Sequence, residues 1–351
     1  MKLGIYTIVD NSNYGNRLQN YASNVLLSKY GETYTILDKS QLIEKKSLNK
    51  KIAISIKSLL SKKYCFYRTL LDNFILFSDK YIPIKIHLLK KDEVIDEYDL
   101  VFVGSDQVWN TDFTIFNDLF FLPFIPKEKR MCMAPSFGKE YLNDEFVEMF
   151  KEGLSNFKVL NVREEKGKEL IYKLIGKEVY VLSDPTLLLK TKEWEAVADS
   201  KYTPKKPYIL TYFLGNFPKE ANDILVNLQS DYEIIHLDTP SFGKSVPAGP
   251  QHFIDLIKNA NLVLTNSFHA TVFSILFERA YITFERKDRY SSMNSRIETL
   301  LQNLQQENRM FHEGIDIFYK DYKTTSQILK QKREKDLKYI QTLIKGSVLN
   351  E

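Results

Sequence analysis

Short apolar runs punctuate the chain, and the segments between several of them carry helical spacing. Leu3 to Val9 reads as a first strand. A polar loop, "DNSNYGNRLQN", follows it and leads into a helix reaching about Tyr30. Thr33 to Asp38, the run "DLVFVGS", Met131 to Ala134, Lys158 to Val162 and Val179 to Leu182 read as further strands. The pattern then restarts: "YILTYFL", "EIIHL", "NLVLT" and "YITF" are four strands with helices between them. Strands alternating with helices predict a parallel sheet covered on both faces. The expected fold is therefore α/β, with two Rossmann-like units in tandem. The lysine-rich connection "KTKEWEAVADSKYTPKKP" marks the boundary, giving units 1–190 and 191–313. Residues 314–351 form a helical extension in which Leu329, Leu337, Ile340 and Ile344 share a face that packs on the body. The residues between Leu329 and Leu337 are all polar and interrupt that face. Ligands of open α/β sheets bind beyond the carboxyl ends of the strands, so the site is expected in the cleft between the units.

The densest polar cluster at a strand end lies in "NLVLTNSFHATVFSILF", residues 261–277. Leu262 to Thr265 is a short buried strand, and Val272, Phe273, Leu276 and Phe277 fall at helical spacing. Asn266, Ser267 and His269 sit at the seam. Ser267 or Asn266 can cap the helix, which places His269 in its first turn with free backbone N–H groups nearby. A helix start disfavours the imidazolium cation, so a charged His269 needs an anionic partner.

Four more clusters fall where strands end. In "NSNYGNRLQN", Gly15 allows a tight turn, Asn16 is a capping candidate and Gln19 follows on the helix; a plain strand–helix loop reads the same way. In "GSDQVWN", Trp109 offers a rigid wall while Asp106 and Gln107 offer hydrogen bonds to hydroxyls, the alternative being a turn with a capping Asp. In "NVREEKG", Arg163 stands between a strand and a helix start, and an arginine binds carboxylate or phosphate in bidentate fashion. "LSDPTLLL" reads as a turn between the units, with Pro185 stopping the helix option. Downstream, "ERKDRYSSMNSRIETLL" brings Arg286, Lys287, Arg289 and Arg296 toward one edge of the second unit, with a helix beginning near Met293.

Composition changes this picture little. The net charge of +4 comes from 49 basic and 45 acidic residues, too balanced for a nucleic-acid binder. The two cysteines, Cys65 and Cys132, have no metal spacing and read as free thiols of a reducing compartment. No metal constellation stands out. The N-terminal "MKLGIYTIVDNSNYGN" lacks a signal-peptide core, and no apolar run reaches the roughly 18 residues that span a bilayer, so the reading is cytoplasmic. Residues 41–63 hold seven lysines and one acid, with Ile52, Ile56, Leu59 and Leu60 on one helical face. That pattern fits a peripheral contact with an anionic membrane, and equally a helix packed inward.

In this order, "NYGNRLQNYA", "GSDQVWN", "SDPTLLL", "FIDLIKNANLVLTNSFHATVFSILF" and "NSRIETLL" resemble the polysaccharide pyruvyl transferase family over roughly residues 1–310. The resemblance implies a two-domain fold like glycosyltransferase B, with the acceptor on the N-terminal unit and the donor on the C-terminal one. It implies phosphoenolpyruvate as co-substrate, no further cofactor, and a sugar acceptor, a lipid-linked oligosaccharide among the candidates. The family implicates the histidine matching His269 and the arginine matching Arg163 in donor binding. On that chemistry His269 and Asp106 are the expected catalytic residues. Arg163, Ser267, Asn266, Arg296 and Arg289 are expected on the donor, and Asn16, Gln19, Gln107 and Trp109 on the acceptor. One departure stands out: several relatives carry an arginine where this chain has Ser267. The rival readings are a nucleotide-sugar glycosyltransferase of the same architecture and a degenerate glycan-binding member.

Overall fold

The computed structural model describes residues 1–39, 61–237, 244–286 and 294–348. Five parallel strands form the first sheet: β1 (Lys2–Tyr6), β2 (Glu32–Asp38), β3 (Ile84–His87), β4 (Leu100–Val103) and β5 (Arg130–Cys132), in the order β3-β2-β1-β4-β5. β6 (Asn161–Val162) and β7 (Tyr180–Val181) pair separately as a small two-stranded sheet. The second large sheet holds β8 (Tyr208–Tyr212), β9 (Glu233–Leu237), β10 (Lys244–Val246), β11 (Leu262–Thr265) and β12 (Tyr281–Thr283), in the order β10-β9-β8-β11-β12. The helices are α1 (Tyr14–Leu27), α2 (Lys62–Tyr81), α3 (Val147–Ser155), α4 (Glu165–Ile175), α5 (Pro185–Leu188), α6 (Thr191–Glu195), α7 (Lys219–Leu228), α8 (Pro250–Asn259), α9 (Phe268–Leu276), α10 (Asn294–Asn303) and α11 (Lys323–Val348).

The two large sheets have the same topology, the expected pair of Rossmann-like units in a glycosyltransferase B-like arrangement. In each, the chain leaves the first strand in one direction and later returns to its other side. The reversal falls between β1 and β4 in one unit and between β8 and β11 in the other. Such switch points open a crevice at the carboxyl ends of the strands. β4 (LVFV) and β11 (LVLT) are buried along their whole length, which is why they read as unbroken apolar runs.

The structure differs from the sequence reading at the sheet edges. β3 and β10 occupy the same outer position in the two sheets. Each is short, β3 being only half-buried and β10 holding one apolar residue in three, so neither carries a strong strand pattern. The run at 158–162 keeps one bridge to the first sheet, Val159 to Met131 of β5, and then pairs through Asn161 and Val162 with the run at 179–182.

A continuous apolar core spans both units, running from Leu3 and Leu18 through Trp194 to Phe273 and Ile344. Tyr14 on α1 stacks on Phe253 of α8, ring centroids 4.5 Å apart, and its hydroxyl donates to the Ala248 carbonyl at 2.8 Å. α11 returns to the first unit, where Tyr339 stacks on Tyr180 at 4.1 Å. One residue of the polar interruption, Asp336, is itself buried. The fully buried Asp336 carboxylate accepts from the Tyr180 hydroxyl (2.7 Å), the Ser183 backbone N–H (3.2 Å) and Lys332 (2.7 Å). Among the described residues no helix is long and apolar enough to cross a membrane. The lysine-rich stretch 41–63 lies outside the described residues except for its last three.

Asp336→Ala leaves the half-buried Tyr180 hydroxyl and Ser183 N–H without this acceptor, so it should cost about 1 kcal/mol of stability. Denaturant melts check this. A change within a few tenths of a kcal/mol would show that α11 is held by its apolar residues alone.

Candidate active site at the interdomain cleft

The carboxyl ends of β1, β4, β8 and β11 converge on a cavity of about 770 Å³. Both units line it. The first contributes Asp10, Asn16, Asp106 and Gln107, and the second contributes Tyr212, Asn266, Ser267, His269, Arg286 and Arg296, among others.

Ser267 is the residue that starts α9. Its hydroxyl accepts from the Ala270 N–H at 3.4 Å, and its own N–H donates to Thr265 Oγ1 at 2.9 Å. His269 therefore sits in the first turn, as expected. Its ring packs against the start of α1, where a Cβ added to Gly15 would lie 1.9 Å from His269 Nδ1. Only glycine lets the two helix ends come this close. On its other side His269 Nε2 lies 3.5 Å from Asp184 Oδ2, near enough to pair charges without a made hydrogen bond.

Asp184 joins the units chemically. One carboxylate oxygen accepts from the Thr186 N–H (3.0 Å) and hydroxyl (2.6 Å), capping α5 with Pro185 at its start. The other accepts from Arg163 Nη1 at 2.7 Å and faces His269. Burial alone would raise the Asp184 carboxyl, but His269 and Arg163 outweigh it and hold the group well below the ordinary carboxylate range. Asp184 is thus the anionic partner that a charged His269 requires. The sequence reading took it for a turn. The Asp-Pro pair at a helix start was the available signal, but no local pattern reveals what its second oxygen faces.

Arg163 lies between β6 and α4 with its side chain 4% exposed. Nη1 also donates to the Ser105 carbonyl at 3.2 Å, while Nε and Nη2 have no hydrogen-bond partner. Its guanidinium lies over the Phe268 ring, 5.4 Å from the centroid, and that of Arg296 lies over the same ring at 4.8 Å. Arg296 as a whole is half-buried, yet its Nε is sealed from solvent and unpartnered. Burial and the nearby Arg163 charge bring the Arg296 guanidinium down to about 9. Two enclosed, mutually repelling guanidiniums beside an imidazole and a helix N-terminus form a seat for an anion.

On the other wall, Asn16 does not cap α1; Asn13 does, accepting from the Asn16 N–H at 3.1 Å. The Asn16 amide is fully engaged. Its Oδ1 accepts from the Asp10 N–H (2.8 Å) and from Arg17 (2.9 Å), and its Nδ2 donates to the Ile8 carbonyl (2.9 Å) and to Asp106 Oδ2. Asn16 therefore holds Asp106 rather than offering free groups to an acceptor. The other Asp106 oxygen accepts from the Gln107 N–H at 2.7 Å. Arg17, which the sequence reading passed over, is fully buried behind this pair, and its burial draws the guanidinium down to about 10.

Two further acceptor-side expectations are corrected. Trp109 is fully buried among Phe121, Phe137 and Phe157, so its apolar bulk serves the core of the first unit. Gln19 is also fully buried, donating to the Asn16 carbonyl at 3.0 Å inside α1. Asn266 borders the cavity, but its amide both accepts from the Leu214 N–H (2.7 Å) and donates to the Leu214 carbonyl (3.0 Å), which ties β11 to the loop after β8. Arg289 lies outside the described residues. Among the described residues no group of His, Cys, Asp and Glu is arranged to hold a metal ion.

A family model described as polysaccharide pyruvyl transferase matches residues 13–288. No curated protein matches the chain. Among solved structures, an S. aureus MnaA–UDP co-structure is 12% identical, with 94% of this chain and 87% of that one covered and a TM-score of 0.49. A UDP-GlcNAc 2-epimerase from Methanocaldococcus jannaschii is 14% identical, covering 94% and 92%, at a TM-score of 0.46. Anabaena Alr3699/HepE in complex with UDP and glucose is 10% identical over 100% of both chains, at 0.44. Likenesses this distant say nothing about what the chain binds.

The buried Asp184 cluster yields a pH signature. The native carboxyl titrates below its ordinary value of about 3.9, so its stabilising effect is complete above that value and is lost as pH falls toward the native one. Asp184→Asn leaves Arg163 and His269 without a counter-charge and should cost about 3 kcal/mol at neutral pH. Denaturant melts of both proteins across pH should show that gap narrowing below about pH 4. A constant gap through the acid range would mean that the carboxylate's charge does not hold the cluster.

Proposed function

The chain belongs to the polysaccharide pyruvyl transferase family, and from that premise we propose that it moves a pyruvyl group from phosphoenolpyruvate onto a sugar of a glycan or its lipid-linked precursor, closing a cyclic ketal across two hydroxyls. The observation that carries this reading is the line Arg163–Asp184–His269, which joins the two units beside Arg296 at the N-terminus of α9. Phosphoenolpyruvate is a compact anion carrying a phosphate and a carboxylate. Two enclosed guanidiniums, an imidazole and free backbone donors are the groups that hold such an anion.

The chemistry runs in balanced steps. A proton added to the terminal methylene carbon makes it a methyl group and leaves an oxocarbenium centre on the adjacent carbon. A sugar hydroxyl adds there and loses its proton. The C–O bond to phosphate then breaks with its electron pair, inorganic phosphate departs, and a second hydroxyl closes the ring, releasing its own proton. His269, held against Gly15 and facing Asp184, is the group assigned to the phosphate; as an imidazolium it neutralises the departing charge or hands over a proton. Asp106, fixed by Asn16 and the Gln107 N–H, is the group assigned to the acceptor hydroxyl. Arg163 and Arg296 balance the donor's charge through both steps.

His269→Ala should fold normally, because Asp184 keeps its bonds to Arg163 and Thr186, and should lower turnover by roughly a hundredfold or more. His269→Gln should restore little, since an amide transfers no proton. Phosphate release from phosphoenolpyruvate with candidate glycan acceptors measures both variants. Phosphoenolpyruvate at a hundredfold excess over its dissociation constant should stabilise the protein by about 2.7 kcal/mol. A melting shift with nucleotide sugars and none with phosphoenolpyruvate would reject the proposal.

A further inference from the structure

Asp184 sits in a short connection between β7 (Tyr180–Val181) and the single turn of α5 (Pro185–Leu188). Neither neighbour can hold it by itself. β7 is two residues long and α5 four, whereas isolated helices under about a dozen residues are marginal in water. Yet this connection aims the carboxylate that meets Arg163 and His269. The Val162 carbonyl and the Trp194 indole each hold one of its backbone groups. Three more are held from the far end of the chain, by the polar residues that interrupt the apolar face of α11.

Ahead of Asp184, Lys332 Nζ donates to the Val181 carbonyl at 3.0 Å. Directly beside it, Asp336 Oδ2 accepts from the Ser183 N–H at 3.2 Å. Beyond it, Arg333 Nε donates to the Leu187 carbonyl at 2.9 Å. That carbonyl lies in the last turn of α5, where no partner is available within the helix. Lys332 and Asp336 are one turn apart on α11 and bond each other at 2.7 Å, so they present a donor and an acceptor as one unit.

Anchoring α11 does not require these groups. Ile340 and Ile344 are buried in the shared core, and Tyr339 stacks on Tyr180. A buried carboxylate with its lysine is often no more stabilising than apolar side chains of the same volume. A continuous apolar stripe through 332–336 would therefore hold the helix about as firmly. What it could not do is meet one N–H and two carbonyls at defined points around Asp184.

We propose that Asp336, backed by Lys332 and Arg333, is a positioning residue of the cleft: it fixes the 181–187 connection and so sets where the Asp184 carboxylate stands against His269. α11 lies wholly beyond the residues 13–288 that the family model matches. The helical extension is then a part of the centre rather than an appendage to it. Its consequence for turnover rests on the pyruvyl-transfer reading; the positioning itself does not.

The test uses the full chain with ¹⁵N-labelled histidine. There are five histidines, and the signals of His269 are those missing from His269→Gln. Asp336→Ala should displace the ring-nitrogen resonances of His269. Asp336→Asn, whose amide oxygen still accepts from the Ser183 N–H, should bring them back. Tyr180→Phe removes a different bond to the same carboxylate and leaves Ser183 its acceptor, so it should not move them. Circular dichroism should report a native fold for all three. Phosphate release from phosphoenolpyruvate, measured as for His269→Ala, should fall about tenfold or more in Asp336→Ala with KM unchanged, the scale of a slightly misplaced catalytic group. Resonances unmoved by Asp336→Ala, moved as far by Tyr180→Phe, or not restored by Asp336→Asn overturn the proposal, as does full turnover in Asp336→Ala. Resonances that move and return as expected, in a protein that releases no phosphate from phosphoenolpyruvate, reject the pyruvyl-transfer reading and leave the positioning in place.

Discussion

A buried carboxylate holds the centre of this molecule together. Asp184 meets Arg163 of the first unit and His269 of the second, and it is 2% exposed. An unpaired charge at that depth would be costly, and each of the three groups offsets the burial of the others. The cluster fixes which face of α9 looks into the cleft, and with it where His269 and Ser267 stand. Glu164 stands beside it as a second acid, its Oε2 3.9 Å from Arg163 Nε.

The rest of the fold makes this arrangement rigid. Many two-unit proteins hinge at such a cleft, but here the apolar core continues from one unit into the other, and Tyr14 is clamped between Phe74, Tyr212 and Phe253. The same helix end that carries Tyr14 carries Gly15, whose missing side chain admits the His269 ring. α11 then binds the second unit back to β7 through Tyr339, Lys332 and Asp336. Together these contacts hold the distance between the α1 and α9 N-termini, an arrangement that favours pre-organised electrostatics over closure on the ligand.

Much of this was legible in the sequence because parallel strands buried on both faces are written as short apolar runs. LVFV and LVLT announced the central strands, and the polar residues directly after them announced the cleft. The edges were not legible, since β3 and β10 are short and carry little burial. Helix caps were legible to within a few residues: Ser267, one of the two candidates, caps α9, whereas Asn13, not Asn16, caps α1. Side chains whose role depends on the other unit were the hardest. Trp109 looked like a sugar platform because aromatic residues serve equally well in binding walls and cores, and only its burial decides. Asp184 looked like a turn because half of its carboxylate does make one.

The departure at Ser267 follows from the same geometry. The resemblance sets an arginine at this position, where it would add a cation at the residue that begins the helix. In this chain that position carries a hydroxyl that caps α9, and an arginine side chain offers no acceptor for the Ala270 N–H. The positive charge comes instead from elements distant in sequence: Arg163 after β6, and Arg296 on α10, both over the Phe268 ring. Phe268 is therefore more than a filler between Ser267 and His269. Its ring face supports two guanidiniums that repel each other, a cation–π contact that offsets part of their repulsion. It also lines two cavities, one bordered by His269 and the other by Arg163 and Asp184. A cap in place of a charge at 267 thus goes with an aromatic wall at 268, which lets the seat for an anion be built from two directions rather than from a single helix end.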